Sequence, residues 1–212
     1  MNRRSFLLTA GAGVSVALAG CSSSAGSPPD QLADVEEDPD QLPTPTIGSS
    51  DVPIDVYEDL GCPACQQFNA QIFPAIEEFL VEPGAASYRH YDFPVPAHDR
   101  SFAMANAARA VQDDTRTDDD PNGAFFAYKA EVFATEDWSD ENLASIADEV
   151  DADPDAVAAA LEDDTYYPTL VADWRRGADN GVGGTPMVFV DGTEVENHSD
   201  TEEIAGLVQD AQ

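Results

Sequence analysis

The chain has 212 residues, of which 42 are Asp or Glu and only 9 are Lys or Arg, so its formal net charge is −33. A surface this negative repels phosphate backbones and anionic lipid headgroups, which argues against binding to nucleic acid or to an anionic membrane surface. Apolar residues make up 42% of the chain, which is the composition of a folded protein rather than of a disordered acidic one. Acid-rich, Lys-poor surfaces resemble those of proteins from salt-loving organisms, where molar salt screens charges beyond about 3 Å.

Residues 1–20 have the composition of an export signal. Arg3 and Arg4 precede a short apolar run that does not reach the about 20 residues needed to span a bilayer. The paired arginines followed by Phe6 and Leu7 resemble the twin-arginine signal, whose cargo is exported folded. The run ends in Leu-Ala-Gly-Cys at Cys21, which resembles a lipobox. We therefore predict that Cys21 is lipidated and becomes the mature N-terminus; an ordinary cleaved signal is the alternative.

Residues 21–50 are predicted to be a disordered acidic tether. The segment is rich in Pro and Ser and contains no basic and no aromatic residue, so it has little to bury. A lipid on Cys21 would then hold the folded domain at the extracytoplasmic face of the cell membrane after twin-arginine export.

Residues 51–212 alternate between strand and helix patterns and predict one α/β domain. A strand precedes a helix that Pro74 should kink. A second strand, a helical block with no strand, a hairpin turning at Asp191-Gly192 and a last helix follow. The predicted strands cover residues 52–57, 87–93, 186–190 and 193–196, and the predicted helices cover residues 63–80, a block at about 99–180, and 201–208.

The chemistry is predicted at Cys62 and Cys65. Cys62 follows the first strand and stands at a helix start, with Pro63 at the first helical position. Unpaired N–H groups and the helix dipole lower the pKa of a thiol there and favour its reactive thiolate. Cys65 lies one turn later and should be more buried. We expect an exposed attacking Cys62, a buried resolving Cys65 and a disulfide between them in the oxidised form.

A zinc site is the alternative interpretation of two cysteines separated by two residues. Zinc needs about four ligands, and the chain offers no second cysteine pair, only His90, His98 and His198. We therefore expect redox chemistry and no bound metal.

The second predicted site element is Thr185-Pro186, which follows Gly183-Gly184 and opens an apolar strand. A bond before proline adopts the cis form at a cost below about 1 kcal/mol. Taken alone, a trans proline that opens a strand is the simpler interpretation; combined with the cysteine pair, the cis form is favoured.

Together these motifs resemble the DsbA-type thioredoxin-fold oxidoreductases. The resemblance covers most of residues 51–212 and includes Tyr57-Glu58-Asp59, Asp92-Phe93-Pro94 and the segment 181–186. It implies an α/β thioredoxin fold with an inserted all-helical domain and a cis Pro186 facing Cys62. It also implies that Thr185 offers backbone groups to an extended substrate, beside Pro63 and Ala64.

Two residues depart from the pattern of these relatives. Many carry an acidic residue six positions before the first cysteine as a buried proton acceptor, whereas this chain has Val56. Glu58 or water is the expected substitute, and slower resolution of the mixed disulfide is the alternative. Strong oxidants of the family carry His between the cysteines, whereas this pair encloses Pro63 and Ala64. We expect a milder oxidant.

The resemblance implies an enzyme that oxidises or exchanges disulfides in exported proteins, with a membrane quinone-linked oxidase as its recycling partner. We expect no dissociable cofactor, because Cys62 and Cys65 hold the electrons. A tether in place of the N-terminal dimerisation domain of the related isomerases favours a monomer. The alternatives are a disulfide reductase for cytochrome or metal-site assembly and a lipoprotein that binds or transfers metal. Asn197 matches the glycosylation pattern, and its modification stays open.

Overall fold

The computed structural model describes the backbone of Cys21–Ser22 and the whole of residues 27–212. The predicted signal over residues 1–20 and the predicted lipidation of the Cys21 side chain lie outside this described part.

A five-stranded mixed sheet forms the centre of the domain, in the order β2-β4-β3-β6-β7. The central strand β3 runs parallel to β4 and antiparallel to β6. A separate two-residue strand, β5, pairs antiparallel with β1. The strands are β1 Cys21–Ser22, β2 Thr46–Ile47, β3 Pro53–Glu58, β4 Ser87–Asp92, β5 Gly184–Thr185, β6 Met187–Val190 and β7 Thr193–Glu194.

Helices cover the sheet and form a block between β4 and β5, which confirms the predicted thioredoxin fold with a helical insertion. Ser139 and Asp153 cap two of these helices through their side chains. No helix in the described part is both long and apolar enough to cross a membrane. The helices are α1 Pro63–Gln71, α2 Phe73–Ile76, α3 Ser101–Thr115, α4 Phe125–Ala134, α5 Asp140–Glu149, α6 Pro154–Asp163, α7 Tyr167–Asp179 and α8 Thr201–Asp210.

The long first helix is interrupted near Pro74, as predicted. It continues after α2 as a π-helical turn over Glu77–Val81. The wider turn changes which side chains face the sheet. Phe79 lies in this turn and is 64% exposed.

The predicted disordered tether is wrong for much of residues 21–50. Leu32 is fully buried with Tyr57 and Trp174, and Leu42 is buried in the core of the helical insertion. Strand β2 adds to the edge of the sheet by pairing with β4. Two leucines and one strand edge are enough to dock this segment, although its overall composition is that of a linker. We call residues 30–47 the N-terminal arm.

Gly177 in α7 lies where two aromatic rings leave no room for a side chain. A Cβ at this position would lie 2.6 Å from Phe93 Cδ2 and 3.1 Å from Tyr57 Cδ1. We expect Gly177→Ala to lower the free energy of unfolding by about 1–3 kcal/mol, because overpacking outweighs the gain in helix propensity. Urea unfolding measures the change.

Gly206→Ala is the matched control, since Gly206 also lies in a helix and a Cβ there has no neighbour within 4 Å. This variant should be more stable by up to about 1 kcal/mol. Equal effects of the two substitutions would show that the contacts of Gly177 do not matter.

Candidate active site

Cys62 stands immediately before α1, as predicted. It is the N-cap residue, its N–H donates to the Asp59 carbonyl oxygen over 2.9 Å, and Pro63 begins the helix. The expected exposure of Cys62 is wrong, since its side chain is fully buried. The Thr185 carbonyl oxygen lies 3.6 Å from Cys62 Sγ, and β1 pairs along that same residue. Pro63 is exposed and Ala64 is half-buried.

Cys65 is fully buried in the first turn of α1, as expected for the resolving cysteine. Burial, followed by the charge of Glu58, raises its pKa well above the ordinary value. Cys65 carries a free thiol. The Cys62–Cys65 disulfide is therefore not formed in this structure and stays a prediction for the oxidised protein.

The Thr185-Pro186 peptide bond is cis, as the combined motifs predict. Thr185 is buried and belongs to β5, which lies outside the five-stranded sheet. Its backbone pairs with that of β1, with Cys21 opposite Thr185 and Ser22 opposite Gly184. The cis-proline loop thus brings a strand edge to the first cysteine.

Glu58, at the end of β3, belongs to a buried cluster of charged groups. Its Oε2 accepts a hydrogen bond from Lys129 Nζ over 2.6 Å and lies 3.0 Å from His90 Nδ1. Asn69, one turn after Cys65, donates to Glu58 Oε1 and to the Cys65 carbonyl oxygen. Burial alone would raise the pKa of Glu58, but the contacts with Lys129 and His90 outweigh it and lower the pKa to about 2.

This pKa bears on the expected proton acceptor. Val56 is fully buried in the apolar core around the sheet, so no acid lies at that position. The charge of Glu58 acts on Cys65 and raises the pKa of its thiol. Because the pKa of Glu58 itself is about 2, its carboxylate stays ionised at neutral pH and holds a proton poorly. Its negative charge favours the protonated form of Cys65 instead.

The buried cluster continues from His90 across the sheet to the helical insertion. His90 Nε2 lies 3.1 Å from Asp92 Oδ1, and Asp92 Oδ2 accepts from Arg109 Nε over 2.6 Å. Arg109 Nη2 donates to Asp173 Oδ2 over 2.6 Å. Ion pairs therefore join the sheet to the insertion at two places, Glu58–Lys129 and Asp92–Arg109.

The sequence motifs did not identify the cationic half of this cluster. Lys129 is the only lysine in the chain, and it is 2% exposed. Four aromatic rings surround its ammonium group, with centroids 5.6–5.8 Å from Nζ: Phe73, Tyr88, Phe126 and Phe133. The available signal in the sequence was that this acidic chain contains a single lysine. A lysine used only on the surface would not be expected to occur just once, so a specific buried role was the better interpretation.

The three histidines do not converge on the cysteines. His90 belongs to the charged cluster, the His98 ring packs on Trp138 and the His198 ring lies 6.3 Å from that of Phe68. Within residues 27–212, no three His, Cys, Asp or Glu side chains are arranged to hold a metal ion.

Comparison with known proteins identifies the family. The family model described as Thioredoxin matches residues 41–210. The chain belongs to the thioredoxin family. Disulfide bond formation protein D of Bacillus subtilis is a relative that is 22% identical over 174 residues, covering 78% of this chain and 75% of the relative. The probable disulfide bond formation protein D of Bacillus anthracis is 26% identical and covers 69% of each chain.

Solved structures of two other proteins share this fold. Oxidised BdbD from Bacillus subtilis superposes with a TM-score of 0.70 at 19% identity, covering 89% of this chain and 97% of that one. DsbA of Chlamydia trachomatis gives a TM-score of 0.68 at 21% identity, covering 81% and 92%. These likenesses confirm a DsbA-like thioredoxin fold with a helical insertion.

Proposed function

We propose that this protein is a thiol–disulfide oxidoreductase that forms or exchanges disulfides in exported proteins through Cys62 and Cys65. The main observation behind this proposal is that three elements lie together: Cys62 at the start of α1, the buried Cys65 thiol and the cis-proline loop. The Thr185 carbonyl oxygen of that loop lies 3.6 Å from Cys62 Sγ. Relatives named for disulfide bond formation support the same activity.

The proposed reaction uses two thiol–disulfide exchanges and no bound cofactor. A substrate thiolate attacks Cys62 of the oxidised pair, which forms a mixed disulfide and releases Cys65 as a thiol. A second substrate thiolate attacks the substrate sulfur of the mixed disulfide, forms the substrate disulfide and releases Cys62 as a thiolate. The substrate loses two electrons and the cysteine pair gains them.

The surroundings of the two cysteines explain why they have different roles in this reaction. The helix N-terminus favours the thiolate of Cys62, which makes it a good leaving group. Burial and the Glu58 charge keep Cys65 protonated, so it returns slowly to attack the mixed disulfide. The uncharged α1 surface, which holds no acidic or basic residue in its first or last turn, avoids repelling an acidic substrate.

We further propose the cellular setting that residues 1–21 indicate. Twin-arginine export would deliver the folded protein. A lipid on Cys21 would then hold it, as a monomer, at the extracytoplasmic face of the cell membrane of a salt-loving organism. A membrane quinone-linked oxidase would reoxidise the pair. The measured reduction potential of the cysteine pair in molar salt decides between this oxidase role and a reductase role.

Cys65→Ser tests the proposed reaction. In this variant the Cys62 thiolate attacks a disulfide of an exported protein, forms a mixed disulfide and releases one substrate thiolate. The mixed disulfides should accumulate, because no Cys65 thiol is present to release Cys62 from them. The adducts appear as bands on non-reducing gels that dithiothreitol removes. Cys65→Ser combined with Cys62→Ser is the control and should give none. A Cys65→Ser protein that captures no disulfide-bearing protein, or adducts that persist in the double variant, would contradict this role for Cys62.

A further inference from the structure

The strand edge beside the redox cysteines is already paired with the protein's own N-terminal segment. The backbone of Cys21–Ser22 runs antiparallel to Gly184–Thr185, in a register that places Cys21 opposite Thr185. Thr185 is the residue whose carbonyl oxygen lies 3.6 Å from Cys62 Sγ. An extended substrate and Cys21–Ser22 cannot both pair with this edge, since a strand edge offers its hydrogen-bonding groups to one neighbour.

The residue in this position is itself a cysteine. The chain has 3 cysteines, and this register brings the backbone of the third to the loop that touches the first. Cys62 is fully buried rather than exposed, and Cys65 carries a free thiol. A buried Cys62 beside a free Cys65 thiol is the arrangement that a disulfide between Cys62 and a third cysteine would leave.

We propose that Cys21 is a third redox residue, which caps the site by exchanging with Cys62 while its thiol is free and uncaps it once lipidated. The proposal rests on the thiol–disulfide activity proposed above. The Cys21 thiolate attacks Cys62 Sγ, the Cys21–Cys62 bond forms and the Cys62–Cys65 bond breaks. Cys65 leaves as a thiolate and takes up the proton that Cys21 released. One disulfide replaces another, so no external oxidant or reductant is needed.

Lipidation and capping exclude each other because a thioether has no thiol to exchange. The cap therefore depends on maturation: an exported but unlipidated chain is self-blocked, whereas the lipidated chain offers the Thr185 edge to substrates. An attached thiol acts at an effective concentration in the millimolar range, so a substrate at micromolar concentration competes poorly with it.

The test uses the full chain purified without lipid, in three forms: wild type, Cys21→Ser and Cys21→Ser/Ser22→Cys. Cys21→Ser represents the lipidated state, in which this thiol is also absent. The third form moves the cysteine by one residue, and successive residues of an extended strand present their side chains to opposite sides. Each protein is oxidised with one equivalent of oxidised glutathione. Its disulfides are then mapped by mass spectrometry, and its rate of oxidising a fluorescent dithiol peptide is measured.

We expect a Cys21–Cys62 linkage in the wild type and a peptide reaction at least about tenfold faster in Cys21→Ser. The shifted cysteine should form no such linkage and should match Cys21→Ser. Absence of the Cys21–Cys62 linkage together with equal rates would overturn the cap, and so would a shifted cysteine that blocks as well as Cys21. If Cys21→Ser oxidises no peptide at all, the proposed function fails instead, and the linkage map alone then decides the cap.

Discussion

Lys129→Met is expected to lower the free energy of unfolding by about 3–5 kcal/mol, because it leaves Glu58 as a buried charge without its principal partner. The Glu58 and Lys129 side chains are 0% and 3% exposed in their ion pair, so water cannot replace the lost partner. Urea unfolding at neutral pH in molar salt measures the effect.

Removing both charges should cost much less than removing one. Lys129→Met/Glu58→Gln has no uncompensated charge, so it should recover most of the stability. Arg175→Met is the surface control: the Arg175 and Glu37 side chains of that ion pair are 45% and 44% exposed, and its loss should cost at most about 1 kcal/mol. A double variant no more stable than Lys129→Met would show that packing of the lysine stem, not charge pairing, is what matters.

The second large effect is expected at Arg109, which is 1% exposed and pairs with both Asp92 and Asp173. Arg109→Met should destabilise the protein by about 3–5 kcal/mol at neutral pH, since two buried carboxylates lose their shared cation. Burial alone would raise the pKa of Asp92, but Arg109 and His90 lower it to about 2. Burial raises the pKa of Asp173 to about 6, against the attraction of Arg109.

The sign of the pH dependence follows from the lowered pKa of Asp92. The unfolded chain binds this proton near pH 4 and the folded chain near pH 2. The stability that Arg109 confers through Asp92 is therefore present above about pH 4 and is lost as the pH falls towards 2. The difference between wild type and Arg109→Met should shrink over that interval. A difference that stays constant from pH 7 to pH 2 would rule out the ion pair as its source.

Local patterns were sufficient to predict most of the elements and the reacting groups. Apolar residues on one face predicted the strand around Ile54, and a continuous apolar run predicted the strand around Val188. The cis bond before Pro186 followed from combining two motifs. These features depend on near neighbours in the chain, which a sequence displays directly.

The rest depends on contacts between distant residues. Glu58 and Lys129 are 71 positions apart, and Arg109 and Asp173 are 64 apart, so no spacing rule joins them. The N-terminal arm was misjudged because composition does not reveal that Leu32 and Leu42 have complementary sites in the core. The burial of Cys62 likewise depends on tertiary neighbours such as Thr185.

The docked N-terminal arm shortens the distance over which the protein can work if Cys21 is anchored in a membrane. Leu32 is fixed in the same apolar cluster as Tyr57 and Val182, close to the end of β3 and the cis-proline loop. Once Cys21–Ser22 is released from β5, only the short stretch from Cys21 to Leu32 spans the gap, and fully extended it reaches at most about 40 Å. The active site of the anchored enzyme would therefore reach only a thin layer next to the bilayer. It would react with exported chains as they emerge from the membrane rather than with those that have already diffused away.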